Sequence, residues 1–236
     1  MISVIVPVHS KKNKIQVIRD AVNKAKTQTE LILVISKDLE GLIKPEHPNE
    51  KVIFDERWGK GYALAKGTKE ANGDVVLFLH ADTVLPDGWD QIIVEALKDQ
   101  KVVGGGFSYS FDMKSVIMKL AIFTTIVLYY TKGDLWGDHA VFVRSEVLEK
   151  CIDSLDVAIW EDLRLSHSMR DYGRVVLLKE KICTSADKFR NNGAFTHSMR
   201  IANCRIWYAL GGDTDKIYCY YYKLKTKKVK REISSL

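Results

Sequence analysis

The sequence predicts an α/β protein with a mostly parallel sheet flanked by helices and a mixed C-terminal half. Its first half holds four apolar runs rich in β-branched residues, as expected for strands buried on both faces of a parallel sheet. The runs are Ile2–Val8, Leu31–Ile35, Val52–Phe54 and Val75–Leu79. Helical segments at 14–27 and 60–72 lie between them, which gives the alternation typical of this fold class. The chain has 236 residues and 46% hydrophobic content, enough for one substantial core.

Local signals set the element boundaries of this first half. Pro7 interrupts the apolar run at the N-terminus, which also lacks a basic region before it, so we expect a first strand there and not a signal peptide. Gly73 ends the second helix, because glycine is favoured just after a helix C-terminus. Asp87 is expected to cap a third helix that runs to about Lys98.

The second half mixes strands and helices. Three glycines open a segment, 102–111, whose alternating pattern predicts an antiparallel strand. The apolar segment 113–130 contains Lys119 and is shorter than the ~20 residues of a membrane span, so we expect a buried or interfacial helix. The remaining predicted elements are strands at 140–143 and 175–178 and helices starting at Ser145, at 160–172 and at 194–210. We expect one domain over 1–222 and a basic tail over 223–236.

The net charge of +6 is concentrated in that tail, which carries six Lys or Arg and one acid. The tail therefore has a net charge of +5 and the rest of the chain +1 (6 − 5). A near-neutral body argues against a nucleic-acid-binding domain. Four widely spaced cysteines, with no zinc-site spacing, are expected to be free thiols, which favours a cytoplasmic protein. They are Cys151, Cys183, Cys204 and Cys219.

Polar side chains follow three of the predicted parallel strands. They are His9, Ser10 and Lys11 after the first strand, Ser36, Lys37 and Asp38 after the second, and His80 and Asp82 after the fourth. Ligands of open α/β sheets bind beyond the carboxyl ends of the strands, so these clusters should converge at one edge. Loops are commonly polar for solvation alone, but three converging clusters with carboxylates favour a nucleotide site.

Three further segments carry candidate chemistry, each beside a simpler explanation. Glycines next to Arg57 and Lys60, at the start of the second helix, would let a phosphate approach backbone N–H groups, although an ordinary glycine turn has the same composition. His80-Ala81-Asp82 ends a strand where a carboxylate can hold a hard metal with diphosphate oxygens. Glu161-Asp162 begins a helix, where acids commonly stabilise the dipole but can also supply a general base.

Taken in their order along the chain, the strand-end and helix-start segments described above resemble glycosyltransferase family 2, which has the GT-A fold. The resemblance covers about residues 1–220. The closest similarity is to a small subgroup of bacterial and archaeal family 2-like transferases. The combination of residues 59–86 with a later Glu-Asp pair is the most specific part of the match. The matching segments are 3–9, 59–67, 71–86, 105–107, 137–139, 142–144, 161–162 and 184–186.

The resemblance implies inverting transfer of a sugar from a nucleotide-diphosphate donor with Mn²⁺ or Mg²⁺. It assigns Asp82, and His80 less directly, to the metal, and Asp162 to the catalytic base with Glu161 as the next candidate. The donor-binding residues would be Pro7, His9, Asp38, Arg57, Lys60, Gly61, His80 and Asp82. Gly137 and Asp138 would lie on the acceptor and sugar side.

The sequence departs from the family pattern in places. Ser10-Lys11 replaces Asn-Glu after the first strand, His80 replaces the first acid of the metal motif, and the Gln-x-x-Arg-Trp motif of processive members is missing. A nonprocessive enzyme is therefore expected. Lys188 and Arg190 are either further diphosphate ligands or solvated charges.

Two other functions stay open at this point. A nucleotidyltransferase would share the architecture, but its glycine-rich basic loop is missing after the first strand. A noncatalytic sugar-nucleotide-binding protein would explain His80, whereas Asp82 and Asp162 argue against it. The basic tail and the apolar helix are either a solvated end and a core element, or a peripheral membrane contact that would go with a lipid-linked acceptor.

Overall fold

A computed structural model describes residues 1–9, 14–57 and 59–223. The strands are β1 Ile2–Val8, β2 Thr29–Ser36, β3 Glu50–Asp55, β4 Val75–Phe78, β5 Val102–Phe111, β6 Phe142–Arg144 and β7 Arg174–Thr184. The helices are α1 Ile15–Asn23, α2 Lys60–Lys69, α3 Trp89–Ala96, α4 Val116–Lys132, α5 Ser145–Lys150, α6 Glu161–Arg170, α7 Asp187–Asn192, α8 Ala194–Ala209 and α9 Thr214–Tyr222. Three 3₁₀ turns cover Lys37–Leu39, Gly137–His139 and Ile152–Leu155. The predicted basic tail lies outside the described residues apart from Lys223.

The strands form one sheet in the order β3-β2-β1-β4-β6-β5-β7. The neighbours among β1 to β4 pair in parallel, while β6 runs antiparallel to both β4 and β5. The predicted antiparallel character of segment 102–111 is confirmed only against β6, because β5 also pairs in parallel with β7. The carboxyl ends of β1, β2, β3 and β4 therefore share one edge, as the sequence predicted.

Alternating side chains of β1 divide the core into two layers. Val4 and Val6 belong to one buried cluster and Ile5 to the other, which is why the run is apolar at successive positions. Helices α1 and α3 cover the first layer through Ile18 and Ile93. Burial on both faces accounts for the continuous β-branched pattern that predicted these strands.

Several predicted boundaries are wrong. The first two helices end earlier than expected, at Asn23 and Lys69. Asp87 does not cap α3, which begins after Gly88 in the left-handed conformation, φ 68°. β7 extends to Thr184, well beyond the predicted 175–178, since it pairs along the length of β5. Helices α7 and α9 were not predicted.

The predicted apolar segment 113–130 forms α4, a helix of 17 residues. Met118 and Thr125 are buried on its inner side, whereas several large apolar side chains are exposed on the other. Within the described ranges no helix combines the length and hydropathy needed to cross a membrane.

Candidate active site

A cleft opens at the carboxyl edge of the sheet and brings together six of the predicted site residues. They are Lys60, His80, Asp82, Gly137, Asp138 and Asp162. His80 and Asp82 reach it from the end of β4, Lys60 from the start of α2, and Asp162 from the start of α6. The 3₁₀ turn Gly137–His139 carries the other two. These side chains are far apart in the sequence, and the strand order and the helix starts bring them together around the cleft.

Asp162 lies on one wall of the cleft and is 9% exposed. One carboxylate oxygen, Oδ1, accepts a hydrogen bond from the Leu163 backbone N–H at 2.8 Å, and Oδ2 accepts one from the Gly137 backbone N–H. Burial and the neighbouring Glu161 carboxylate raise its pKa to about 6, against the opposing effect of Lys60 and the two N–H donors. A buried carboxylate with a near-neutral pKa is suited to accept a proton.

The start of α6 fixes this carboxylate through an unusual backbone. Trp160, the residue before the helix, adopts the left-handed conformation with φ 72°, which is uncommon for a bulky residue. Its indole is 5% exposed and packs edge-to-face on Trp136, with ring centroids 5.4 Å apart. A strained residue held by packing directly before Glu161-Asp162 is typical of a functional site.

Lys60 connects α2 to α6. Its Nζ lies 3.3 Å from Oε1 of Glu161, whose side chain is 2% exposed, and its backbone N–H donates to the Ala158 carbonyl at 3.0 Å. Burial opposes the charge on Lys60, but Glu161 together with Tyr222, Asp162 and Tyr221 outweighs that effect and raises the pKa of the ammonium. Lys60 is therefore cationic in the cleft at neutral pH.

The glycines around Lys60 have a packing role. A Cβ on Gly61 would lie 2.2 Å from the Val157 carbonyl oxygen, and one on Gly59 would lie 2.6 Å from Cα of Ala158. The loop 155–158 thus occupies the space where a phosphate was expected to meet the backbone. The Lys60 side chain, and not the glycine turn, faces the cleft.

His80 stands between a cation and an anion. Its Nδ1 is 3.6 Å from Oδ1 of Asp138, and its Nε2 is 3.4 Å from Nζ of Lys60. Desolvation opposes ionisation of Asp138, but the adjacent His80 imidazole, with the charges of Lys60 and Lys188, lowers its pKa to about 2. Both imidazole nitrogens therefore face protein groups, and the ammonium next to Nε2 makes His80 poorly suited to a metal ion.

Asp82 is the predicted metal ligand that fits the role. It is half-buried, lines the cleft, and lies four residues after the end of β4. No three His, Cys, Asp or Glu side chains form a ready-made metal site within residues 1–9, 14–57 and 59–223. Mg²⁺ is commonly held by one or two carboxylates together with substrate phosphates, so Asp82 with a bound diphosphate is a suitable donor set.

The opposite wall of the cleft comes from residues that the sequence did not single out, apart from Lys188 of α7. Nζ of Lys188 lies 5.2 Å and 4.9 Å from the ring centroids of Tyr221 and Tyr222 on α9. Trp136 and His197 also line the cleft. One signal for α9 was present, because Asp213 caps it by accepting from the N–H groups of Asp215 and Lys216.

Seven predicted residues do not line this cleft. Pro7 is buried within β1, beside Val34 of β2, and Gly61 is packed as described. His9 and Asp38 are exposed at the ends of β1 and β2. Arg57 stacks on Tyr62 at 4.5 Å and pairs with Asp156 at 3.3 Å. Glu161 lies behind Lys60, and Arg190 pairs with Asp112 and Asp187.

A parallel sheet with an antiparallel extension and a cleft at its carboxyl edge is the GT-A fold of sugar transferases, as predicted. Residues 3–148 match the model of glycosyl transferase family 2, and the chain belongs to that family. An uncharacterised glycosyltransferase of Nostoc is 29% identical over 196 residues, which are 73% of this chain and 59% of the relative. The chain thus spans less than two thirds of that relative's length.

Solved structures share the fold at low sequence identity. Residues 1–349 of TarS from S. aureus superpose with a TM-score of 0.60 at 17% identity, covering 94% of this chain and 70% of that one. The mannosyltransferase PcManGT from Pyrobaculum calidifontis, in complex with GDP-Man and Mn²⁺, gives 0.59 at 19%, covering 86% and 60%. TarS has also been solved with UDP-GlcNAc. The predicted family and fold are confirmed.

Proposed function

We propose that this protein is a nonprocessive, inverting glycosyltransferase that moves a sugar from a nucleotide-diphosphate donor to an acceptor hydroxyl with the help of Mn²⁺ or Mg²⁺. Family membership and the nucleotide sugars bound by proteins of the same fold support the donor class. The observation that carries the proposal is Asp162, a buried cleft carboxylate whose pKa is about 6.

Cationic groups line the part of the cleft proposed for the donor diphosphate. Lys60 and Lys188 both face it, and Asp82 lies at the strand end where diphosphate oxygens and a metal would meet. A bound divalent metal would neutralise negative charge that develops on the leaving diphosphate. We assign His9 and Asp38, which are exposed at the neighbouring strand ends, to the nucleoside.

Asp162 is proposed to take the proton of the acceptor hydroxyl as that oxygen attacks the sugar. Its two backbone N–H donors hold the carboxylate in place, and they occupy only half of its roughly four lone-pair positions. A pKa of about 6 leaves most of the group ionised at pH 7 while keeping it basic enough to share the proton. Attack from the Asp162 side with departure on the Asp82 side would invert the anomeric carbon.

Replacing Asp162 by Asn tests the assignment, because an amide keeps the shape of the side chain but cannot act as the base. We expect transfer to fall about 10²- to 10⁴-fold, with the donor-induced thermal shift retained. A panel of UDP and GDP sugars, with and without Mn²⁺, would first identify the donor, since a ligand at 100 times its Kd stabilises by about 2.7 kcal/mol.

The matched control is Asp171→Asn, the same substitution just past the other end of α6 and outside the cleft. It should transfer at the wild-type rate. Wild-type transfer by Asp162→Asn would remove Asp162 from the mechanism and make Glu161 the next candidate.

A further inference from the structure

Helix α4 exposes a continuous apolar stripe. Its members are Val116, Leu120, Phe123, Val127 and Tyr130, whose side chains are 39% to 82% exposed. They recur at alternating spacings of four and three residues, so they fall within an arc of about 80° on the helix. Met118 and Thr125, on the opposite side, are buried. The stripe is therefore a separate face of the helix and not a poorly packed core.

Helix α8 lies beside α4 and repeats the pattern. Met118 of α4 and Ile201 of α8 share an apolar cluster, and Arg205 of α8 donates to the buried Asp134, two residues after α4, at 3.2 Å. The exposed apolar residues of α8 also follow helical spacing. They are Phe195, Met199, Ile206 and, directly after the helix, Leu210.

Charge on the two helices has one sign. Together they carry Lys119, Lys132, Arg200 and Arg205, and neither helix contains Asp or Glu. Arg205 is neutralised by Asp134, which leaves three cations on the two helices: Lys119 adjoins the α4 stripe, Lys132 ends α4, and Arg200 lies further round α8. Tyr130 and Trp207 are exposed near the helix ends, as amphipathic aromatic rings are at membrane interfaces.

We propose that α4 and α8 form a face that docks on an anionic lipid bilayer, with the exposed stripes reaching the acyl boundary and the cations meeting the headgroups. Apolar residues flanked by Lys or Arg, without acids, are the composition of interfacial helices. A second copy of this chain is less suited, because a two-fold contact through this face would place cations opposite cations.

The same helices lead into the cleft. Trp136 and Gly137 follow α4 by four and five residues and line it, as do His197 and Ile201 of α8. Docking would thus bring the cleft next to the bilayer surface, and the acceptor class that fits is a lipid-linked molecule with its hydroxyl at the headgroup level. This acceptor assignment rests on the proposed function, whereas membrane docking does not.

Sedimentation of the full chain with vesicles tests the proposal. The wild type should bind vesicles of equimolar phosphatidylcholine and phosphatidylglycerol, and bind pure phosphatidylcholine more weakly. The variant Leu120→Gln/Phe123→Gln/Val127→Gln should lose about tenfold or more in partition coefficient. The control Leu42→Gln/Val94→Gln removes exposed apolar side chains elsewhere and should bind like the wild type.

Two outcomes overturn docking: no vesicle binding by the wild type, or equal binding by the triple variant. A wild-type dimer in sedimentation velocity that the triple variant disperses, without vesicle binding, would assign the face to a second copy. Circular dichroism checks folding, and the single variant Phe123→Asp should weaken binding to anionic vesicles if the triple variant unfolds. Donor-induced thermal shifts should be the same in the wild type and the triple variant. No donor-induced shift in the wild type would count against the proposed function and leave the docking result unaffected.

Discussion

Replacing Lys60 by Met tests whether the ion pair to Glu161 holds α2 and α6 together. Glu161 is 2% exposed, its Oε1 lies 3.3 Å from Nζ of Lys60, and its buried Oε2 has no other hydrogen-bond partner among the described residues. Removing one partner of a buried pair typically costs about 3–5 kcal/mol, because the remaining charge is left uncompensated. At about 2–4 °C per kcal/mol for a chain of this size, the Tm should fall by about 6–20 °C.

A double-mutant cycle with Glu161→Leu separates the contribution of the Lys60–Glu161 ion pair from that of side-chain packing. The double variant Lys60→Met/Glu161→Leu should recover much of the lost stability, because no charge is left buried. Lys98→Met is the control: Nζ of Lys98 lies 2.7 Å from Glu95, but both side chains are more than two thirds exposed, and the expected cost is below about 1 kcal/mol. Calorimetric melting curves that show additive losses for Lys60→Met and Glu161→Leu would refute the pairing argument.

The proposed chemistry gives two more predictions. Burial and Glu161 raise the pKa of Asp162 to about 6, so kcat/KM should be flat above that pH and fall about tenfold per unit below it; a pH–rate profile without this limb would contradict the base assignment. Asp82→Ala should abolish the tightening of nucleoside diphosphate binding by Mn²⁺ in titration calorimetry, whereas unchanged metal dependence would place the metal elsewhere.

The parallel half of the fold could be predicted because its signals are local. Both faces of β1 and β2 are covered, so their sequences are apolar at nearly every position, and the pattern itself reports the burial. Helix ends were less predictable, since α3 starts after a left-handed Gly88 and not at the better capping residue Asp87. The full length of β7 depends on pairing with β5, which its own sequence does not encode.

The residues of the candidate site likewise fall into two groups, those with a local sequence signal and those placed by distant packing. Asp82 and Asp162 could be predicted because they belong to family motifs, and Lys60 because it follows a glycine at a helix start. Tyr221 and Tyr222 could not be, since their relevance comes from the packing of α9 against α8 and the start of α6, beside the cleft. These tyrosines lie just before the basic tail in sequence. They line the cleft only because α9 packs beside it.

The unusual histidine of the metal motif can be understood from its neighbours. Asp138, His80, Lys60 and Glu161 form a row in which each anion lies next to a base that can carry positive charge. An aspartate at position 80 would place two carboxylates side by side, and one of them would tend to keep its proton. With His80 in that position, Asp138 stays ionised, its pKa lowered to about 2. His80 therefore keeps a charged carboxylate in the cleft, and the departure from the family motif is compatible with the site proposed around Asp82.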